Sequence, residues 1–512
     1  MKAAPFRNSE WIKHAYEFST SSCSVTIHEN SAYIITNPAQ DIVKIDFNEK
    51  ISSQIVKLNK SAQLYFYGLV WVGFSDLADK NVCSVVKNIL SSVFEYAEEV
   101  EKTNAQSMVW DDHALSERAC TLLYLKECDE LQDLHSSIDK HLGYLNQKLE
   151  KILSSNKWEG NNHRVFHLCA QHCLDRFYLC DSELATKRHG EIEQFLLSLF
   201  SLDTGLSVEQ SISYYNFDII LLDLVTNYLR SSGQPILNEH LNSDALKSKK
   251  NKFISALAFP CGELPASGDT PVGLKIKKPL LDMSEARGLW NELDRIGHFR
   301  GCSEDGAFHY HVLSHNGESA HGHNSPLHID FWVEGLGTLF VDSGGPYKYG
   351  DPLRHQWFRS TKAHNTITFL DDINVSEIDR CSPDIFIESA VDRSSLNSCL
   401  LKDGSYLVRK LWSEGNVFII EERVFSSKEW FLKYRLNTGL AIERESKNSF
   451  TVSRNGVTLL LEFTGGAVNL TEEFLTRRGG SKEKSPSLTV TNSGSSEACT
   501  VELRISKNNV KS

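Results

Sequence analysis

Between residues 82 and 229 apolar positions recur every three or four residues. Val82, Val85, Val86, Ile89, Val93 and Ala97 form one stripe, and Leu131, Leu134, Ile138, Leu142, Leu145, Leu149 and Ile152 a second. Phe166, Cys169, Cys173 and Phe177 form a third, Ile192, Phe195, Leu196 and Leu199 a fourth, and Ile219, Leu222, Val225 and Leu229 a fifth. That spacing puts each set on one side of a helix. Short polar turns separate the stripes, so the pattern predicts stacked helical hairpins. No sequence repeat of fixed length runs through them. Ahead of them, Ser24 to Ile45 is rich in Val, Ile and Thr and predicts a small β-hairpin packed on the helices.

The pattern breaks between Pro260 and Pro279, where PCGELPASGDTPVGLKIKKP interrupts any helix with prolines and glycines. Beyond it the period falls to two. FHYHVLSH, HIDFWVEG, GTLFVDSG, NTITFL, YLVRKLW, VFIIEERVF, WFLKYRL, VTLLLEF and TVELRI read as strands. Short strands punctuated by Gly and Asn turns predict an antiparallel sandwich, giving an all-α, connector, all-β order.

A chain of 512 residues exceeds one ordinary core and implies two domains. No apolar run is long enough to span a bilayer. The opening MKAAPFRNSEWIKHAYE has no apolar segment of the secretory kind, which predicts a cytoplasmic protein. Periplasm or cell envelope is the alternative if this is a mature form. The formal net charge of −12 argues against binding nucleic acid and stands in tension with a polyanionic ligand. The twelve cysteines include no CxxC pair. Cys169, Cys173 and Cys180 fall near one face of a predicted helix, and reduced core thiols are expected.

Four patches could carry chemistry. In HGHNSPLHIDF, His321 and His323 are two apart and share a face if extended; Asp342 ends the next predicted strand, and His364 opens a third. Imidazole and carboxylate converging from neighbouring strands suit a zinc-type ion, although histidines hydrogen-bonded inside a sandwich would look the same. WEGNNHRVFH places Asn161, Asn162 and His163 before an apolar stripe, where asparagine is usually an N-cap. Asp111, Asp112 and His113 open another helix, where acidic residues complement the dipole. Glu209, Tyr214 and Tyr215 sit at a third helix entry, where a tyrosine is more often a core or groove aromatic.

In this order the patches resemble the heparinase II/III-like polysaccharide lyases, a family that includes alginate and heparan-type lyases. The matching segments are NNH at 161–163, EQSISYY at 209–215, HGHNS at 321–325, VDSG at 341–344 and FRSTKAHNT at 358–366, with GELPASGDT similar to the segment between the family's domains. The similarity runs from about Trp110 to Thr368. Ser325 stands where the family usually has Asp, Ile212 where it has Pro, Tyr215 where it has His, and Arg164 where it often has Gly.

The resemblance implies an incomplete (α/α) toroid followed by an antiparallel β-sandwich, with an N-terminal extended segment over 1–54, the toroid and connector over 55–285, and the sandwich over 286–512. It implies β-elimination on a uronic-acid-containing, acidic polysaccharide in an interdomain cleft. Such chemistry removes the proton at C5 and expels the oxygen at C4, so the sugar carboxylate must be neutralised and two protons moved. Asn162 and His163 match the neutralising pair, and Tyr214 and His321 the proton-transfer pair. Arg359, Trp357, Tyr215 and Glu209 are the expected substrate contacts, with Phe358 and Tyr349 as further aromatics. His323, Asp342 and His364 match the family's metal position, expected to hold a structural divalent ion such as zinc. Two other readings stay open: a glycan-binding or biosynthesis-associated protein without turnover, and a glycoside hydrolase using Asp111, Asp112 or Glu209.

Overall fold

The computed structural model describes residues 24–28, 30–35, 42–73, 75–155, 162–236, 238–280, 282–294, 296–316, 321–347, 351–369, 388–389, 395–400, 405–477, 480–491 and 498–508. Asn161 and Tyr349 lie outside them. The expected order holds, with helices first and antiparallel sheets after them. Among the described residues, no helix is long and apolar enough to cross a membrane.

By contact density the chain divides into two compact units: Met1–Leu202 with Phe217–Leu246, and Asp203–Asn216 with Lys247–Ser512. The boundary read from sequence lay after residue 285. The physical reason for the difference is a shared core. Leu206, Ile212 and Tyr215 are buried in one cluster with Phe253, Leu257, Trp290 and Leu293. The short segment carrying Tyr214 therefore belongs to the unit that holds the sheets.

The helical unit forms for legible reasons. Asp79 caps the Lys80–Thr103 helix by accepting from the amides of Asn81 and Val82, and Asn104, in the left-handed region at φ 49°, ends it. The face buried is the one the stripe predicts, with Val86, Ile89, Leu90, Val93 and Ala97 inside. Asp181 caps Ser182–Leu199 in the same way. The His135–Leu153 and His163–Cys173 helices join the same core. Two details differ from the sequence reading. Ser24 to Asp46 forms three strands, Ser24–His28, Ser31–Ile35 and Ile42–Asp46, in one antiparallel sheet, because Ile42–Asp46 adds a third strand to the expected hairpin. Cys169 and Cys173 are buried but Cys180 is exposed, since the chain leaves the helix there at φ 57°.

The second unit holds three antiparallel sheets. His298–Cys302, Phe308–Asn316, Asn324–Val333 and Gly337–Phe340 run in sequence order. Ile367–Phe369 pairs with Trp430–Arg435 in a second four-stranded sheet, and an eight-stranded sheet includes Tyr406–Glu414, Val417–Phe425 and Ala498–Asn508. All nine predicted strands are present. Alternate residues such as Leu407 and Leu411, or Val501, Leu503 and Ile505, point into one apolar core. Asn365 ties two sheets together, since its amide donates to the carbonyls of Ile329 (2.8 Å) and Val341 (3.1 Å) while its oxygen accepts from the Arg435 amide (2.6 Å).

Candidate active site

In the helical unit the candidate residues gather around Asp112. Asp111 occupies the N-cap of the Asp112–Leu125 helix and accepts from the His113 amide at 3.1 Å, so the structural reading of Asp111 holds. Asp112 does something else. Its Oδ2 accepts from His163 Nδ1 at 2.9 Å and from His167 Nε2 at 3.0 Å. His163 and His167 are one turn apart on the His163–Cys173 helix, so both rings reach the same oxygen. Burial alone would raise the Asp112 carboxyl, but the two imidazoles outweigh it and hold the group far below the usual carboxylate range. Burial in turn pushes His167 down against the pull of Asp112. The His113 ring is tilted against that of His163 with centroids 5.4 Å apart, and it contacts Glu117 at 3.1 Å; burial lowers it, yet Glu117 with Asp112 and Asp111 brings it above its ordinary value. Asn162 stands at the cap position of its helix, but with helical dihedrals and no side-chain cap bond, and it is buried. It is therefore not the N-cap that its sequence position suggested.

In the second unit, Tyr214 lies in the first turn of the Ile212–Ser231 helix. The connector holds that turn: the Ser213 amide donates to Thr270 Oγ1 at 3.1 Å, and Ser211 Oγ lies 3.1 Å from the same atom. Gly268 makes the approach possible. At φ 56°, a Cβ there would sit 2.5 Å from the carbonyls of both Gln210 and His321, so only glycine lets the three strands of chain meet. As a result the Tyr214 and His321 rings stack with centroids 3.4 Å apart and planes 14° apart.

His321 and His323 are not on a strand, as expected from their spacing. They sit in the loop just before Asn324–Val333, yet both turn to one carboxylate. His321 Nδ1 donates to Asp269 Oδ2 at 3.0 Å, and His323 Nε2 donates to Asp269 Oδ1 at 3.0 Å. Arg354 Nη2 adds a bond to Oδ2 at 2.7 Å. Burial opposes ionisation of Asp269, but His321, His323 and Arg354 together keep it well below the ordinary range.

The expected metal set is only partly assembled. Asp342 and His364 meet, with His364 Nδ1 2.8 Å from Asp342 Oδ1, and His328 brings a further ring nitrogen within 4.8 Å of both. His323 donates its Nε2–H to Asp269, so its lone pair is on Nδ1, which is buried without a hydrogen-bond partner among the described residues, and its ring is 5.3 Å from that of His364. Ligand atoms of His328, Asp342 and His364 all lie within 4.8 Å of one another, and all three residues are buried. Imidazole and carboxylate donors of the kind that hold a divalent ion are thus gathered here. The Asn365 amide donates to His328 Nδ1 at 2.9 Å, so the neutral His328 ring carries its proton on Nε2, which faces the carboxylates of Asp330 and Asp342, each 3.3 Å away; burial lowers this histidine but the two carboxylates raise it overall, and Nε2 must lose its proton before it could bind an ion. His364 Nε2 is buried without a hydrogen-bond partner among the described residues. Burial pushes His364 down to about 4, in the neutral form that ligates.

Of the expected substrate contacts, Tyr215 is in the core: it is 2% exposed and its hydroxyl is 2.9 Å from His298 Nε2, itself bonded to His311. Glu209 is fully buried. Both sit where the Ile212 helix entry packs inward, so neither presents a side chain for a sugar. Arg359 stays beside the HGH loop, with Nε donating to the Gly322 carbonyl at 3.1 Å. Trp357 is half-buried, and Lys433 Nζ lies 4.7 Å over its ring; burial takes that ammonium down to about 8. Phe358 is buried against Tyr347. Asp269, Arg354, His167 and His328 were missed. Two carried a signal: His167 lies four residues after His163, and His328 five after His323, next to Asp330 on the same strand. Nothing local marks Asp269 or Arg354, which meet only in the fold.

Residues 310–506 match the family model described as Heparinase II/III-like, C-terminal. No curated protein matches the chain. Among solved structures, a heparinase III is similar at TM-score 0.61 and 13% identity, covering 88% of this chain and 78% of that one. Another heparinase III reaches 0.53 at 14% identity, covering 98% and 84%. A mutant heparan sulfate lyase from Pedobacter heparinus reaches 0.50 at 13%, covering 93% and 81%. At such identities the likeness is one of fold. The chain is thus similar to the C-terminal domain of that family over residues 310–506, and its fold is similar to the helical-plus-sheet fold of these solved lyases.

Proposed function

We propose that this protein is a polysaccharide lyase that cleaves a uronic-acid-containing polysaccharide by β-elimination. The observation that carries the reading is the Tyr214–His321 stack, a phenol laid on an imidazole whose far nitrogen is held by a buried carboxylate. Two proton-transfer groups in contact are what the reaction needs: one takes the proton from C5, the other gives one to the oxygen leaving C4, and the C5–H electrons become the C4–C5 double bond. We assign Asn162 and His163 to the sugar carboxylate, whose charge grows as the carbanion forms. Asp112 orients His163 for that task. The net charge of −12 does not oppose an acidic substrate locally, because the segment RHQWFRSTKAH at 354–364 carries Arg354, Arg359 and Lys362 and no acidic residue.

Asp342 and His364, with His323 or His328 as the third donor, would hold a divalent ion, which would supply structural cross-linking of these strands. Metal analysis of the purified protein checks this. A stoichiometric ion is expected, lost together with thermal stability in His364→Ala and in the alanine variant of whichever of His323 and His328 is the third ligand. Retention of metal in His328→Ala assigns the third position to His323.

The activity is tested on a panel of uronic-acid polysaccharides, scored by the ultraviolet absorbance of the unsaturated product. Tyr214→Phe keeps the ring stack and removes the hydroxyl, and turnover should fall about a hundred- to ten-thousand-fold. A saturated reducing end in the product would instead indicate a hydrolase, and absence of any product a binding protein. Near-parent turnover by Tyr214→Phe removes the tyrosine from the mechanism.

A further inference from the structure

Asp269 lies in the connector, far in sequence from every residue given a chemical role, and it is 1% exposed. It is nonetheless sewn into the site by backbone and side chain. Its amide donates to the His321 carbonyl at 2.9 Å. Its two oxygens take His321 Nδ1 and His323 Nε2 separately, and Arg354 shares the oxygen that holds His321. Room for the carboxylate is made by a second glycine, since a Cβ on Gly345 would come within 2.7 Å of Asp269 Oδ1. The arrangement is thus fixed from three sides.

A carboxylate only accepts, so each imidazole facing it must present an N–H. For His321 this puts the proton on Nδ1 and makes Nε2 the basic nitrogen of the neutral ring. When Nε2 takes a proton, the imidazolium stands against an anion already in place. Arg354 keeps that anion ionised in a buried setting, and the same carboxylate cannot rotate away without releasing His323. We infer that Asp269 is a positioning residue: it locks His321 as the Nδ1–H tautomer, with Nε2 as the atom that exchanges a proton with substrate. The kinetic consequence rests on the lyase reading; the tautomeric one does not.

The experiment therefore has two arms on the full chain. In the first, protein labelled with ¹⁵N-histidine is examined by long-range nitrogen–proton correlation, with His321 assigned by His321→Gln. The parent should show the Nδ1–H tautomer, and Asp269→Asn should move His321 toward Nε2–H, because the amide can offer an N–H to Nδ1. A parent in the Nε2–H form, or a tautomer unchanged in Asp269→Asn, overturns the inference. In the second arm, on a substrate the parent cleaves, Asp269→Asn should lower kcat by about a hundred- to ten-thousand-fold with KM within about threefold. Asp269→Glu should recover at least about a tenth of the parent rate if the carboxylate is what matters. Asp269→Asn/His321→Ala should be no slower than His321→Ala, since the aspartate acts through the histidine. A rise in KM alone, or a double variant much slower than His321→Ala, overturns it. Should Asp269→Asn not fold, the parent tautomer and Asp269→Glu still decide. If no acidic polysaccharide is cleaved by the parent, the lyase reading fails while the first arm stands on its own.

Discussion

The two units use the same device on different scaffolds. In each, one aspartate is shared by two histidines, one giving Nδ1 and the other Nε2. In the helical unit Asp112 offers a single oxygen to His163 and His167, which a helix places one turn apart. In the sheet-bearing unit Asp269 splits its oxygens between His321 and His323, which a loop places two residues apart. The settings differ in exposure and charge. The Asp112 and His163 side chains are 17% and 30% exposed, whereas Asp269 is 1% exposed and faces a buried arginine. A solvated carboxylate can tolerate loss of a partner, because water takes its place. A buried one needs Arg354 to remain charged, and each group becomes costly without the other. The difference suits the tasks assigned: His163 meets a charge that substrate brings, while His321 acquires a charge of its own during the reaction.

The largest effect that separates the two is catalytic. His321→Ala should lower kcat by up to about ten-thousand-fold, the range of a lost acid–base group. His163→Ala should cost about a hundred- to a thousand-fold, the range of one lost donor to a developing anion. Rates measured on the same substrate check this, and the reverse ranking would exchange the two roles. Next comes stability. Asp269→Ala leaves Arg354 buried and unpaired and should lose on the order of 3–5 kcal/mol. Asp112→Ala, with water within reach of His163, should lose about 1–3 kcal/mol. Denaturant unfolding followed by fluorescence and by far-ultraviolet circular dichroism compares them; equal losses would show that exposure is not what distinguishes the sites.

A smaller effect concerns pH, in the helical unit. Burial pushes His172, which is hydrogen-bonded to Tyr228 and Gln234, down from 6.5 to about 4. The folded ring stays neutral below pH 6.5 while the unfolded chain takes up a proton, so stability falls as pH drops from about 6.5 to about 4. The loss from this one group is on the order of 3 kcal/mol at the low end. His113 works in the opposite sense, since its raised value adds stability below 6.5 that is lost as pH rises through the folded value. Comparing His172→Gln with the parent across pH 7 to 4 isolates the first term. The variant should show a shallower decline, and identical slopes would mean that His172 protonates in the folded state.

Parts of this were legible along the chain. The stripe from Val82 to Ala97 gave the face of its helix because an amphipathic helix buries one side wherever it packs. The nine strands were legible because alternation survives whatever sheet a strand joins. His163 and His167 could have been paired from their spacing of four, since a helix converts that spacing into adjacency. The HGH loop misled in detail: its spacing of two predicted a shared strand face, whereas the shared direction comes from Asp269 pulling both rings. Tyr215 and Glu209 misled for a related reason, because the Ile212 helix entry turns inward against Phe253 and Trp290.

What the sequence alone determined is the order of helices and strands and the family-like succession of polar patches. These follow from local periodicity and from short segments whose residues are neighbours in the chain. What only the tertiary structure decided is which groups meet: Tyr214 with His321, Asp269 with two histidines and an arginine, and His328 with Asp342 and His364. The reason is that hydrogen bonds and ligand sets are fixed by distances of about 3 Å, and residues fifty or a hundred positions apart acquire such distances only when packing closes the loops between them.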